Sequence, residues 1–208
     1  MKIAPVLCGS FGIDCATVLT AESAAGLKGT PIDFVARYLG QLTPPELAII
    51  LGAGLGVELV TFSHAPGWEP SAALGNDEGH VDVARLAELG IPAGMVVWID
   101  LEGSGGDAAS TAAWVNARAT VLVEAGYVAG LYVGAGCVLD GPELYALPHV
   151  TRYWRAFNEG IPEPACGFCQ FQLFPPDQTL AGVLVDLDFT QEDYARRTPM
   201  MLVAEKEA

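Results

Sequence analysis

The stretch that most constrains the fold is Met95–Ile99, an apolar run that ends in two acidic residues and then in glycine. An exposed strand would alternate apolar and polar side chains, whereas MVVWI carries no polar side chain at all. A continuous apolar run of this kind is typical of a strand in a parallel sheet that is covered on both faces. We therefore predict a buried strand here, with the acidic residues at its carboxyl end.

The two acidic residues, Asp100 and Glu102, are two positions apart. Side chains with this spacing on a strand share a face, so both should point the same way. Two carboxylates that close repel each other, and a semi-enclosed setting raises the pKa of at least one. A carboxyl with a raised pKa is what a general acid requires. The alternative is a strand end whose acids simply meet solvent.

Strand patterns recur along the whole chain and predict eight strands, at 11–16, 33–39, 56–63, 95–100, 127–134, 151–157, 168–173 and 182–189. Helical patterns follow several of them, which indicates an α/β fold with a parallel sheet. We predict a compact (β/α)8 TIM barrel with some helices short or reduced. An open doubly wound sheet is the alternative. The glycines at 52, 54 and 56 follow a helix pattern rather than a strand, so they do not form a nucleotide-binding fingerprint.

The clearest helix signal is Thr43-Pro-Pro-Glu46, a capping box that opens a helix running to Leu51. Further helical patterns lie at 77–89, around 114–125 and at 142–147. The sequence contains no internal repeat or linker, so we predict one domain over 1–208. Its core spans about 11–189, and 190–208 form a solvated C-terminal tail.

The composition excludes several kinds of partner. A net charge of -15 over 208 residues disfavours nucleic acid and anionic membranes, since both attract Lys and Arg. No apolar run is long enough to span a membrane, and no classical signal peptide is present, which predicts synthesis into the cytoplasm. Cys166 and Cys169 have the spacing of half a zinc site or of a redox pair, but the chain offers no second pair and no histidine pair at ligand spacing, which favours ordinary thiols. We therefore predict no metal and no cofactor.

If the sheet closes into a barrel, side chains at the strand ends meet at one rim, where barrel active sites lie. The acidic residues fall at the ends of the first, fourth and eighth strands: Asp14, Asp100, Glu102, Asp186 and Asp188. Other polar or aromatic groups come from the strands between: His64, Tyr132, Trp154, Gln170 and Gln172. Carboxylates rimmed by aromatics suit a sugar, whose ring stacks on apolar faces and whose glycosidic oxygen can be protonated. Taken singly, each acid could be an ordinary strand end, each aromatic a core residue and His64 a structural histidine.

The order of several short motifs resembles a known family. The motifs are Gly12-Ile-Asp14, Arg37-Tyr-Leu39 with Leu42-Thr43-Pro44, Ala53-Gly-Leu55, Asp100-Leu-Glu102, Trp154, Gln170 with Gln172, and Val185-Asp186-Leu-Asp188. In this order they look like a glycoside-hydrolase-like domain of unknown function, found in actinobacteria and phages and related to the family-25 lysozymes. The resemblance extends from about Phe11 to Phe189 and implies the same barrel.

The resemblance also implies roles for the acids. Glu102 would be the proton donor, Asp100 would stabilise positive charge beside it, and Asp14 and Asp186 would complete the catalytic site. The chain departs from the lysozymes at Asp188, where they usually have asparagine, and at Cys15, where they tend to have a small polar residue. Whether water or the substrate's own acetamido group attacks is left open.

The implied function is a glycosidase that cleaves peptidoglycan or a related amino-sugar polymer, with a polysaccharide as its partner. Two other classes remain open, because members of such a family need not be enzymes. One is a catalytically silent barrel that binds glycans. The other is a structural component, for instance of a phage particle. The setting is correspondingly a cell wall or a virion, and the sequence does not predict an oligomeric state.

Overall fold

The computed structural model describes residues 1–205, and the last residues of the predicted tail, 206–208, lie outside the described residues. The strands, in chain order, are β1 (Lys2–Pro5), β2 (Phe11–Cys15), β3 (Ile32–Tyr38), β4 (Gly56–Val60), β5 (Val96–Leu101), β6 (Val128–Val133), β7 (Val150–Arg155), β8 (Gln170–Gln172), β9 (Gln178–Leu180), β10 (Val183–Thr190) and β11 (Met200–Val203). Eight of these strands close into a barrel in the order β2-β3-β4-β5-β6-β7-β8-β10. The predicted compact (β/α)8 barrel is confirmed.

The last barrel strand runs in the opposite direction to the others. Strands β2 to β8 are parallel neighbours, but β10 is antiparallel to both β2 and β8. Our prediction of a parallel sheet is therefore wrong for this strand. Its amino-terminal half lies at the mouth, where Asp186 pairs with Asp14, whereas Asp188 pairs with Gly12 deeper in the barrel. We predicted both acids at the rim, and only Asp186 is there.

Strand β5 explains why its sequence is apolar without alternation. Val97, Ile99 and Leu101 belong to the large core between the sheet and the surrounding helices. Val96 and Trp98 belong to a second, smaller core inside the barrel. Both faces of this strand are therefore buried, as the apolar run predicted.

Two glycines make room for large rings inside the barrel. A Cβ at Gly12 would lie 2.2 Å from the Phe34 ring, and one at Gly130 would lie 2.4 Å from the Trp98 ring. These separations are far below van der Waals contact, so no side chain fits at either position. The rings thereby fill the lower barrel and leave the upper part to polar groups.

Five helices accompany the strands within residues 1–205: α1 (Ala21–Lys28), α2 (Pro44–Gly52), α3 (Ala72–Glu88), α4 (Ala108–Glu124) and α5 (Gly141–Tyr145). The prediction of reduced helices is confirmed, since α5 has only five residues and no described helix follows β7 or β8. Helix α1 was not predicted. No helix in this described part combines the length and the apolar character that crossing a bilayer requires.

The start of α2 fulfils half of the predicted capping box. The Thr43 hydroxyl accepts a hydrogen bond from the Glu46 backbone at 3.3 Å. The Glu46 side chain does not return to Thr43. It accepts from the Arg37 guanidinium at 2.9 Å and from the Leu19 backbone at 2.9 Å, and both charged side chains are buried.

Residues 200–203 do not belong to a solvated tail, as we predicted for 190–208, but form a strand. Strand β11 pairs along its length with β1, and Leu202 pairs with Val57 at the start of β4. The Leu202 side chain is fully buried. The two strands form an antiparallel ribbon that extends the sheet at the base of the barrel, so burial of apolar surface holds this segment in the fold.

Candidate active site

A cavity of about 180 Å³ opens at the mouth of the barrel, and it brings together most of the predicted site residues. Six of them line it: Asp14, Glu102, Tyr132, Trp154, Gln172 and Asp186. They come from strands on opposite sides of the barrel, so only the closed fold makes them neighbours.

The Asp100 and Glu102 pair lies at two depths. Glu102 faces the cavity, and its Oε1 accepts a hydrogen bond from the Ser63 hydroxyl at 2.6 Å. Gly134 gives this side chain its space, because a Cβ there would lie 2.5 Å from Glu102 Cβ. Asp100 is buried one step below. Burial, followed by the charge of Glu102, raises the pKa of Asp100 well above its ordinary value.

Asp14 and Asp186 are held together by one amide. The Gln172 Nε2 donates to Asp14 Oδ2 at 3.1 Å and to Asp186 Oδ2 at 2.8 Å. The backbone N–H of Asp177 donates to the other oxygen of Asp186 at 2.6 Å. Asp14 is enclosed except where it meets the cavity. Burial and then the charge of Asp186 raise its pKa to about 7, although the Gln172 hydrogen bond acts in the opposite direction.

The aromatic side chains of the mouth form one connected wall. Tyr132 packs edge-on against Trp154 with ring centroids 4.9 Å apart, and its hydroxyl donates to Gln172 Oε1 at 3.1 Å. Tyr38 lines the same cavity from β3. Burial and the nearby carboxylates raise the pKa of both tyrosines, so their hydroxyls remain neutral hydrogen-bond donors.

Two predicted site residues, Gln170 and Asp188, lie beneath the cavity rather than on its surface. Both side chains are fully buried, together with Glu58 of β4. Burial raises the pKa of Glu58 to about 8, and the Trp98 indole donates to it at 2.9 Å. Burial, followed by the charges of Asp14 and Glu58, raises the pKa of Asp188 well above its ordinary value. A substrate in the cavity does not reach this lower layer.

His64 lies behind the rim. Its Nε2 is 2.9 Å from Glu78 Oε1 on α3, and its ring stacks on Trp68 with centroids 4.2 Å apart. We predicted a substrate-binding role at the rim, but its contacts are with these protein groups, and it is not among the side chains that line the cavity.

A second cavity of about 220 Å³ adjoins the first and shares Asp14, Tyr38 and Asp186 with it. It continues past Thr17 and Leu184, on the side away from Trp154. Each cavity alone is smaller than the roughly 300–1,000 Å³ of typical ligand pockets. Together they form a groove across the mouth, which suits an extended ligand.

Several residues of the site were missed by the sequence analysis. Tyr38 sits on the inward face of β3, two positions beyond the buried Ala36, and strand periodicity could have found it. Glu58 could have been noticed as an acid inside a strand that is otherwise apolar. Ser63, Phe157 and Asn158 carry no signal, because they lie at or just beyond the ends of predicted strands and belong to no motif.

The cysteines do not form a metal site. Within residues 1–205, no three His, Cys, Asp or Glu side chains are grouped as ligands for an ion. Cys166 and Cys169 are buried free thiols, and the Cys169 Sγ lies 3.5 Å from the Tyr153 carbonyl. Burial raises the pKa of the Cys169 thiol, which disfavours the reactive thiolate.

Comparison with protein families gives a match over most of the chain. The model described as "Rv2525c-like, glycoside hydrolase-like domain" matches residues 25–175. This segment includes Glu102, Asp100 and both amides of β8, but not Asp14 or Asp186. None of the curated proteins matches the sequence.

Solved structures with the same fold cover nearly the whole chain. An uncharacterized protein of B. stearothermophilus is 21% identical, with a TM-score of 0.69 over 88% of this chain and 96% of that one. The Tat-secreted protein Rv2525c of Mycobacterium tuberculosis, crystallised with L-tartrate, is 14% identical, with a TM-score of 0.65 over 87% and 95%. A bacterial lysozyme of Streptomyces coelicolor is 13% identical, with a TM-score of 0.58 over 91% and 95%. At these identities the likeness establishes a shared fold.

Proposed function

The chain belongs to the family of Rv2525c-like, glycoside hydrolase-like domains, and from that premise we propose that it cleaves glycosidic bonds of peptidoglycan or a related amino-sugar polymer. The family resemblance inferred from the order of its motifs is confirmed. The hydrolytic activity is our proposal, and the bacterial cell wall is the place where we expect it.

The observation that carries the proposal is the convergence of Asp14, Glu102 and Asp186 on one cavity walled by Tyr132 and Trp154. Glycosidases need one carboxyl that protonates the leaving oxygen and another that stabilises the oxocarbenium-like transition state. The groove supplies both kinds of group together with aromatic rings. The similarity to a lysozyme of Streptomyces coelicolor supports an amino-sugar polymer as the substrate.

In this proposal Glu102 gives its proton to the glycosidic oxygen, and the water that completes hydrolysis returns a proton to the carboxylate. Asp100 lies buried beneath Glu102, and burial raises its pKa. Its carboxyl oxygens stabilise the positive charge that develops on the sugar, without a change in the protonation of Asp100 during the step. The Gln172 amide keeps Asp14 and Asp186 together at the opposite wall, where they hold the sugar hydroxyls.

The test is the Glu102→Gln variant, which keeps the size of the side chain and removes its acidity. We expect release of reducing ends from purified peptidoglycan to fall by at least about 100-fold, the usual contribution of a general acid. The melting temperature should stay unchanged. Glu124→Gln is the matched control, because Glu124 is exposed at the end of α4, away from the mouth. Activity retained by Glu102→Gln would exclude this function.

A glycan-binding domain without catalysis is the second candidate. The raised pKa values of Asp14 and Asp100 favour it, because a protonated carboxyl supplies no negative charge to a transition state but still forms hydrogen bonds with sugar hydroxyls. Calorimetry with soluble peptidoglycan fragments separates the two functions. Binding that persists in Glu102→Gln, with no turnover by the wild-type protein, identifies the binding domain.

A further inference from the structure

We propose that Ser63 is a positioning residue that determines which oxygen of Glu102 carries the transferable proton. The inference rests on the proposed function, and it assigns to Ser63 a role that the family resemblance did not indicate. The Ser63 hydroxyl donates to Glu102 Oε1 at 2.6 Å. An oxygen that accepts this short hydrogen bond is the poorer place for the acid proton. The proton of Glu102 is therefore held on Oε2, which has no hydrogen-bond partner within residues 1–205 and belongs to a side chain lining the cavity.

The loop that carries Ser63 is fastened to the strand that carries Glu102. Just before Ser63, the Thr61 backbone donates to the Trp98 carbonyl at 2.8 Å, and the Thr61 hydroxyl accepts from the Asp100 backbone at 3.1 Å. After Ser63, the Trp68 indole donates to the Glu102 carbonyl at 2.8 Å. Contacts on both sides of Ser63 thus fix the distance between its hydroxyl and the Glu102 carboxyl.

The glycines that follow Glu102 allow this attachment. The backbone N–H groups of Gly67 and Gly105 each bond across the two loops, to Gly103 and Trp68 respectively, both at 2.7 Å. A Cβ at Gly105 would lie 2.6 Å from the Gly67 carbonyl oxygen. Gly103 has φ +59, and a Cβ there would lie 3.0 Å from the Pro66 Cα. A side chain at 103 or 105 would therefore push the Ser63 loop away from β5.

The outer side of the same loop is anchored to the helices. His64 stacks on Trp68 and lies 2.9 Å from Glu78, which also accepts from the Trp114 indole at 2.8 Å. Arg118 of α4 contacts Glu78 at 3.2 Å. The residue that we predicted to bind substrate, His64, therefore supports the loop that positions Glu102.

The hydroxyl matters because the surroundings of Glu102 are acidic. Asp100 lies on the same strand as Glu102. Four further acids or phenols from other strands surround the Glu102 carboxyl: Asp14, Tyr38, Tyr132 and Asp186. The aspartates repel a carboxylate at Glu102 and the phenols offer it other hydrogen bonds, whereas the Ser63 hydrogen bond holds Oε1 in one orientation. Loss of the hydroxyl should therefore free the Glu102 carboxyl to rotate.

The experiment compares Ser63→Ala and Ser63→Thr with the wild-type protein. We expect Ser63→Ala to lower kcat about 10- to 100-fold with little change in KM, the usual effect of a misplaced catalytic group. Ser63→Thr keeps a hydroxyl and should restore kcat. Ser110→Ala is the matched control, because that hydroxyl also donates to a carboxylate, Asp107, at 2.7 Å, and neither residue lines the cavity.

A readout that does not depend on catalysis separates this inference from the proposed function. With carbon-13 in the side-chain carboxyls, the Glu102 resonance at one fixed pH should change in Ser63→Ala and return in Ser63→Thr, because its hydrogen bond is lost and regained. An unchanged Glu102 resonance overturns the inference, even if the wild-type protein cleaves glycan. A change in the Asp100 resonance alone also overturns it, because the hydroxyl would then serve Asp100. If the wild-type protein cleaves no glycan, the proposed function fails, while the Glu102 resonance still decides whether Ser63 orients that carboxyl.

Discussion

Gln172 shows how one neutral side chain organises a charged site. Its amide N–H groups reach both Asp14 and Asp186, and its carbonyl accepts from the Tyr132 hydroxyl and from the Phe157 backbone. The alternation of β8 predicted that Gln172 would face inward beside the acids. The pairing itself was not predictable, because it depends on the reversed direction of β10.

Removal of this amide should change the titration of Asp14. In Gln172→Met the side chain keeps its length but loses both donors, so the pKa of Asp14 should rise above its present value of about 7. Carbon-13 NMR of the Asp14 carboxyl measures the change. Gln178→Met is the control, since among residues 1–205 the Gln178 amide donates hydrogen bonds to the Pro175 and Pro176 carbonyls alone. An Asp14 curve at its wild-type position would show that the amide does not stabilise the carboxylate.

At the scale of elements, β10 is where the sequence analysis and the structure differ most. The predicted strands at 168–173 and 182–189 leave only residues 174–181 between them. A parallel crossover needs a dozen or more residues, whereas an antiparallel return needs only a few. The length of the connection therefore indicated that the strand is antiparallel to the one before it. The alternation that located the strand did not, because it is the same in both directions.

The ribbon of β1 and β11 was missed for a different reason. Its strands are four residues each and show no clear alternation of burial, so they resemble loop sequence. Their stability comes from pairing between residues about two hundred positions apart, which no local pattern reveals. Eight barrel strands and the acids at their ends could be predicted from local patterns, whereas this long-range pairing could not.

Leu202→Ala tests whether the ribbon belongs to the folding unit. The side chain is fully buried, so the substitution should lower the free energy of unfolding by about 2–4 kcal/mol. Leu7→Ala serves as the comparison, because Leu7 is 72% exposed and should cost less than about 0.5 kcal/mol. Urea denaturation gives both values. Equal effects of the two substitutions would mean that the C-terminal segment is dispensable for stability.

The acidic residues of the whole molecule fall into two groups, one on the surface and one inside the barrel. Most acidic residues lie on the surface, whereas Glu58, Asp100 and Asp188 are buried inside the barrel with raised pKa values. Burial favours the protonated form of all three carboxyls in the folded protein, whereas in the unfolded chain they ionise at their ordinary pKa values. The barrel interior is therefore a source of instability that grows as the pH rises.

Stability should fall between pH 5 and pH 8, and Glu58 should account for part of the loss. Its pKa of about 8 in the folded protein is above its ordinary value of 4.5. The stability it contributes is therefore fully present below about 4.5 and is lost as the pH rises towards 8. For Glu58 the loss is on the order of 4 kcal/mol at most.

Urea denaturation at the two pH values measures this loss. Glu58→Gln removes the titration and should reduce the decline, whereas Glu124→Gln should keep it, since Glu124 is exposed. An equal decline in the wild-type protein and Glu58→Gln would show that Glu58 does not titrate over this range.

The reversed direction of β10 also determines where the chain leaves the barrel. Because this strand runs from the mouth to the base, the residues after it continue at the base, where β11 meets β1 and the start of β4. The amino- and carboxyl-terminal strands therefore emerge together on the face opposite the groove. A sample immobilised on a bead or sensor surface through this base would present its open groove to a suspended polymer, so attachment at that face leaves the groove accessible.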